Sequence, residues 1–289
     1  MRHFTLLLAA LCLAPALSLA QTAASAGEGR LKKIQSSGAI ALAYRADAVP
    51  FSFEDKDKQP AGYTVDLCRG IVAALQQQLG LPKLEAKWVP VTAQTRFTAI
   101  ASGQADLECG ASTVTLGRMK EVSFSSLTFI DGTGLLVRSS TGGNSLSALA
   151  GKKIGVMPGT TNERALASAM KGMGVAASVV LVASREDGLA QLESGVIDAL
   201  ANDRVLLLGL AGKSKNPMAL ALLADALSYE PYAIALPRGD WELQHAVNTA
   251  LSQIYRSGAL PELYARWFSG LGKPTPVLDV MYGLGSLPE

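Results

Sequence analysis

Histidine is nearly absent from this chain, at two residues in 289. His3 lies in a segment that reads as an export signal, which leaves His245 alone and argues against a histidine-built metal site or a Ser-His-Asp triad. Charge is also scarce: Asp, Glu, Lys and Arg make up 17%, and 26 basic residues nearly cancel 24 acidic ones. With no block of like sign, a nucleic-acid groove or polybasic membrane patch is not expected. Beyond the N-terminal segment, no stretch approaches the ~18 uninterrupted apolar residues that a membrane-spanning helix needs. No metal or cofactor is expected.

What is abundant is apolar material, at 49% of residues. That content supplies ample core for a folded chain, and the length suits two domains of ~100–200 residues each. The start Met1-Arg2-His3, the apolar run Phe4 to Leu13, and the small residues Ser18-Leu19-Ala20 together read as a secretory signal peptide. Cleavage is expected after Ala20, or alternatively after Ala26. Removal of residues 1–20 takes Arg2 and no acid, leaving 25 basic against 24 acidic residues, and takes Cys12, leaving Cys68 and Cys109. In an exported chain these two either form one disulfide or remain separate buried thiols.

The mature chain repeats a pattern. Residues 97–107 and 189–199 align at an offset of 92, with Ser102-Gly103 on Ser194-Gly195 and Asp106 on Asp198. Each copy predicts a short helix closed by glycine, then an Asp leading into an apolar strand. Upstream of each copy, an apolar strand (Ile40 to Tyr44; Ile154 to Met157) runs into a polar loop and a helix. The first of these helices carries Leu67, Ile71, Leu75 and Leu79 every four residues, with Gly80 and Pro82 stopping it. The order implies two related α/β lobes whose strand ends face a common cleft. Thr128 to Ser140 and Leu227 to Pro237 read as two crossing strands, the hinge of a clam-shell. Lobe 1 is expected over 27–131 plus 235–289 and lobe 2 over 132–234. Helices are expected over Asp240 to Arg256 and Pro261 to Phe268, with an irregular Gly/Pro-rich tail after Gly270. Phe51, Phe53 and Tyr63 are expected in the core, and Trp241, Trp267 and His245 as helix-packing residues.

Several segments then become specific. Tyr44-Arg45-Ala46-Asp47-Ala48-Val49-Pro50-Phe51-Ser52-Phe53, Gly62-Tyr63-Thr64-Val65-Asp66-Leu67 and Glu108-Cys109-Gly110-Ala111-Ser112-Thr113 are followed by Arg118. Gly159-Thr160-Thr161-Asn162-Glu163, Leu192-Glu193-Ser194-Gly195 and Asn202-Asp203 come next. In this order, spread over Leu31 to Phe268, they resemble the polar amino-acid solute-binding proteins of bacterial ABC transporters, most closely the glutamate/aspartate-binding branch. The resemblance implies a periplasmic-binding-protein fold of type II, whose lobes close over one amino acid and present it to a membrane permease. A monomer working in the periplasm is expected.

The chemistry of the residues agrees. An α-amino acid needs a positive fork for its carboxylate and a negative group for its ammonium. Arg118 offers a planar guanidinium, Ser112 and Thr113 offer hydroxyls and N–H groups, and Thr160 and Thr161 stand at a helix start suited to anions. Asp203 suits the ammonium. Singly, Arg118 reads better as a surface ion-pair partner, and Thr160, Thr161 and Asp203 as helix caps. Their recurrence at matching strand ends favours binding. The resemblance further implies that Arg45 and Arg96 face a distal carboxylate, hence glutamate or aspartate as ligand.

The chain also departs from that branch. Ala93 and Ala111 stand where serines help hold the ligand, and Arg185 lies near the place of a contacting histidine, where it offers a further cation. In relatives the partner of the cysteine at the Cys109 position comes from near Ile234, so Cys68 is the partner implied here. An alternative on the same fold is a periplasmic cyclohexadienyl dehydratase, for which Glu108 and Glu163 are the available acids. The cleft arginines are expected to hold such carboxyls down rather than raise them as a general acid requires.

Overall fold

The computed structural model describes residues 29–288. The segment expected to be a signal peptide, with His3 and Cys12, lies outside the described residues. Along the chain, α1 (Arg30–Ser37), β1 (Ala39–Arg45), β2 (Asp47–Ala48), β3 (Ser52–Glu54), β4 (Pro60–Ala61), α2 (Tyr63–Gln78), β5 (Glu85–Val91), α3 (Arg96–Ala101), β6 (Leu107–Glu108) and β7 (Val122–Asp131) begin the first lobe. The second contains β8 (Thr133–Arg138), β9 (Lys153–Val156), α4 (Thr161–Met173), β10 (Ser178–Leu181), α5 (Arg185–Ser194), β11 (Ala199–Asp203), α6 (Arg204–Ala211) and β12 (Leu220–Leu222). The chain then returns to the first lobe through β13 (Glu230–Pro237), α7 (Trp241–Arg256), α8 (Leu260–Phe268) and α9 (Pro276–Gly285).

The two main sheets share one plan. The first runs β5-β1-β6-β13-β7 and the second β10-β9-β11-β8-β12. In each, three parallel strands are followed by an antiparallel strand, β13 in one and β8 in the other. This is the two-lobed α/β architecture of type II periplasmic binding proteins. A small sheet of β2, β3 and β4 stands at the end of β1.

The repeat in the sequence has a structural cause. In lobe 1 the Asp106 carboxylate accepts the Ala41 N–H of β1 at 2.7 Å; in lobe 2 the Asp198 carboxylate accepts the Lys153 N–H of β9 at 2.9 Å. Each is flanked by an arginine, Arg30 on Asp106 and Arg138 on Asp198, both at 3.2 Å. The preceding glycines take positive φ, 77° at Gly103 and 81° at Gly195, which glycine adopts without a Cβ penalty. The repeated aspartates therefore lock strand to strand.

Each lobe has its own core. In the first, Phe51, Tyr63, Phe129, Tyr232 and Phe268 are buried ring on ring, with Phe51 and Phe129 centroids 4.9 Å apart. Phe53 packs edge-on against Trp267 at 5.7 Å. The second core is aliphatic, built from residues such as Leu135, Ile154, Val156 and Leu166. Cys68 of α2 is bonded to Cys109, just after β6, with a Cα–Cα distance of 6.2 Å.

Two expectations are corrected. The segment after Gly270 is not wholly irregular, because α9 forms there. The Thr275 hydroxyl accepts from the Leu278 N–H, Pro276 opens the helix, and Leu278, Met281 and Tyr282 are buried against lobe 1. Trp241 and His245 do not pack: Trp241 is 69% exposed and His245 is exposed. The buried stripe of α7 is Leu243, Ala246, Val247, Ala250 and Leu251, which leaves both outside it.

Candidate functional site

The candidate residues stand where strands end and helices begin, the ligand-binding edge of open α/β sheets. Arg45 ends β1, Arg96 begins α3, and Ser112 and Thr113 follow β6. Arg118 begins a single 3-10 turn, Thr161 begins α4, Arg185 begins α5, and Asp203 ends β11. A cleft of about 910 Å³ opens between the lobes, lined by Arg96, Phe97, Arg118, Thr161 and Glu230 among others. Arg45, Ser112, Arg185 and Asp203 are buried and do not line it. The lobes touch. The Thr113 and Thr161 hydroxyls are 3.5 Å apart, and a Cβ on Gly209 of α6 would stand 2.5 Å from the Val49 carbonyl oxygen of lobe 1.

One group of side chains, in and behind the cleft lining, is cationic. Arg45 and Arg185 both pair with Asp47, at 2.7 Å from the Arg45 Nη2 and 2.9 Å from the Arg185 Nη1. The Nε of each arginine is buried without a hydrogen-bond partner. Arg96 donates from Nε to the Ser112 hydroxyl at 2.8 Å and from Nη1 to the Ala93 carbonyl. Ala93 thus keeps a role through its backbone although it lacks a hydroxyl. Phe97 is flanked by two guanidiniums, Arg96 at 4.3 Å and Arg118 at 5.1 Å from its centroid. Arg118 donates to the Thr113 carbonyl at 2.7 Å. Burial, reinforced by Arg185, lowers the Arg45 guanidinium to about 10. Burial also lowers Arg96 to about 10, against the attraction of Glu108. Both stay charged at neutral pH, held close to one another in poor solvent. An anion placed among them would relieve that cost.

A second group, of which Glu230 reaches the cleft, is acidic. Asp203 accepts from the Asn162 amide at 2.9 Å, and Asn162 also donates to the Thr133 hydroxyl at 2.9 Å. Glu230 accepts from Thr113 and Ser228 hydroxyls at 2.6 Å each and from Thr133 at 3.2 Å. Asp131 accepts the Gly132 and Val205 N–H groups at 2.8 and 3.0 Å. The Tyr232 hydroxyl reaches Asp131 at 3.4 Å. Burial, with repulsion from Glu230, pushes Asp203 up to about 6. Burial, with repulsion from Asp203, pushes Asp131 up to about 7. Such carboxyls favour a cation arriving from outside, as an ammonium does.

Glu108 corrects the expectation that arginines hold the cleft carboxyls down. Burial comes first and raises it, outweighing Arg96 and Arg45. Neither of its oxygens meets hydrogen-bond geometry, although the nearby Ser112 hydroxyl favours the ionised form. A Cβ on Gly110 would stand 2.1 Å from one of them, so that glycine leaves room for the carboxyl. Glu163 is engaged at the start of α4, accepting the Gly159 N–H at 2.7 Å. Thr160 caps the same helix: its hydroxyl accepts from the Glu163 N–H at 3.2 Å and donates to the Met157 carbonyl at 2.8 Å. Sequence reasoning missed Asp47, Glu230, Asp131 and Asn162 as parts of this site. For Glu230 a signal was present, an acid opening the apolar strand Tyr232 to Leu236.

Two α/β lobes with charged residues converging at their facing strand ends are matched along residues 40–270 by the bacterial extracellular solute-binding proteins, family 3. The chain belongs to that family. It is 34% identical over 244 residues to an L-glutamate/L-aspartate-binding protein of Pseudomonas aeruginosa, covering 83% of this chain and 80% of that one. It is 30% identical over 268 residues to a glutamate/aspartate import solute-binding protein of Salmonella typhimurium, covering 93% and 89%. Among solved structures, an ancestral arginine-binding protein bound to arginine superposes with a TM-score of 0.69 at 28% identity, covering 80% of this chain and 98% of the other. This family-3 chain is therefore a solute-binding protein of amino-acid ABC transport rather than an enzyme.

Proposed function

We propose that this family-3 protein captures an acidic amino acid, L-glutamate or L-aspartate, between its lobes in the periplasm and delivers it to an ABC permease. The observation that carries this reading is the grouping of enclosed charge: buried Arg45, Arg96 and Arg185 with half-buried Arg118 on one side, outnumbering Asp47 and Glu108 among them, and buried Asp203 and Glu230 with half-buried Asp131 on the other. A zwitterion with a second carboxylate matches both sides at once. Arg118 and the Thr161 hydroxyl take the α-carboxylate, Asp203 takes the ammonium, and Arg45, Arg96 and Arg185 take the distal carboxylate. Because the groups come from both lobes, a ligand touching both favours the closed form, which the permease would recognise. The two glutamate/aspartate-binding relatives support this choice of ligand.

A thermal-shift screen of amino acids and dicarboxylates tests it. At a hundredfold excess over Kd, a ligand of the native state adds about 2.7 kcal/mol, roughly 5–10 °C for a chain of this size. Glutamate or aspartate should give the largest shift. A larger shift from a neutral or basic amino acid, with none from either acid, overturns the reading.

A further inference from the structure

Asp47 is the unexplained group in the site. It follows Arg45 by two residues, opens β2, and sets one carboxylate between a cation from each lobe. One oxygen lies 2.7 Å from the Arg45 Nη2 and the other 2.9 Å from the Arg185 Nη1. The two arginines are almost fully enclosed, with side chains 5% and 7% exposed, while Asp47 is 26% exposed. Arg45 and Arg185 each still hold a buried Nε N–H with no acceptor. Each guanidinium thus has an Nη group satisfied by the chain's own carboxylate and another donor waiting.

We propose that Asp47 is an internal competitor for the ligand's distal carboxylate, a specificity-determining residue that lowers the protein's preference for an acid over its amide. The inference rests on the proposed placement of the distal group among Arg45, Arg96 and Arg185. A second carboxylate entering that space either displaces Asp47 from the two arginines or shares them with it and is repelled. A carboxamide of the same shape carries no charge and meets no such opposition. Asp47 therefore acts selectively against acids. The opposite role, in which Asp47 merely holds the arginines in position, predicts the opposite sign: without it the arginines drift and acids bind less well.

The test is calorimetric titration of wild type, Asp47→Asn and Asp47→Ser with L-glutamate, L-glutamine, L-aspartate and L-asparagine, with unfolding temperatures confirming that each protein is folded. Asparagine keeps the shape of the side chain and serine clears the space, so a folding defect in one leaves the other usable. The acid-to-amide affinity ratio should rise about tenfold or more in the variants, the scale of removing one nearby like charge. If wild type binds acids and the ratio is unchanged or falls in the variants, the competitor role is wrong and the ligand reading stands. If wild type binds only amides and a variant gains acid binding, the ligand reading is wrong and the competitor role stands. Binding of none of the four compounds by any of the proteins overturns both.

Discussion

Replacing Asp203 with asparagine should stabilise the empty protein and destroy its binding. Asp203 is 5% exposed, and its carboxyl is raised from 3.8 to about 6 by burial and by Glu230. At ~1.4 kcal/mol per unit, ionising it in the folded protein costs on the order of 3 kcal/mol at neutral pH. Asparagine carries no charge, and its side-chain oxygen can still accept from Asn162, so the empty variant should gain about 1–3 kcal/mol at pH 7.5. The pH dependence fixes the sign. A carboxyl whose folded pKa lies above its unfolded one gives stability that is complete below about pH 4 and is lost as pH rises through about 6. The wild-type and variant stability curves should therefore converge near pH 4 and separate above it. Binding should move the other way. Removing one partner of a buried charge pair costs roughly 2–5 kcal/mol, about thirtyfold or more in Kd. In the wild type an arriving ammonium favours ionised Asp203, so affinity should increase between pH 5 and 7, with proton release. Urea unfolding of the empty proteins and calorimetric titration in buffers of different ionisation enthalpy measure both effects. An empty Asp203→Asn protein less stable than wild type at pH 7.5, or one that binds within threefold of it, would show that Asp203 is neither strained by its charge nor the ammonium's partner.

Arg45→Ala should weaken glutamate and aspartate by roughly 2–5 kcal/mol in calorimetric titration, with a much smaller change in unfolding temperature. Gly209→Ala places a Cβ 2.5 Å from the backbone oxygen of Val49 in the opposite lobe. Overpacking of that kind costs about 1–3 kcal/mol, so Kd should rise tenfold or more and the empty protein should show a larger radius of gyration in X-ray scattering. Unchanged affinity there would mean that this contact is not part of the binding state. Replacing both Cys68 and Cys109 with serine frees a sequence separation of 41 residues. The chain-entropy account gives about 2–4 kcal/mol of lost stability, read as a lower urea midpoint.

The lobes were legible because their signals are local. Gly103 and Gly195 must close helices, and Asp106 and Asp198 must each hold a neighbouring strand, so both copies keep the same residues at the same spacing. Arg118 and Asp203 were candidates from their places after strands, whereas Arg45, Arg96 and Arg185 became candidates through the family resemblance. The arrangement among them was not legible. Asp47, beside Arg45, meets Arg185 across 138 residues of sequence, and nothing near Asp47 announces that approach. The balance at Glu108 was also hidden, since burial competes there with arginines and only the folded chain decides the winner. Helix α9 was obscured by composition. The Gly and Pro content after Gly270 masks a short periodic stripe, Leu278, Met281 and Tyr282, behind the cap at Thr275.

A crystal structure of the protein grown with L-glutamate or L-aspartate is the decisive test of the proposed ligand placement. One molecule should be held by both lobes, its ammonium within hydrogen-bond reach of Asp203, its α-carboxylate against Arg118 and Thr161, and its distal carboxylate among Arg45, Arg96 and Arg185. A ligand lying in the reverse orientation, or touching one lobe only, would contradict it.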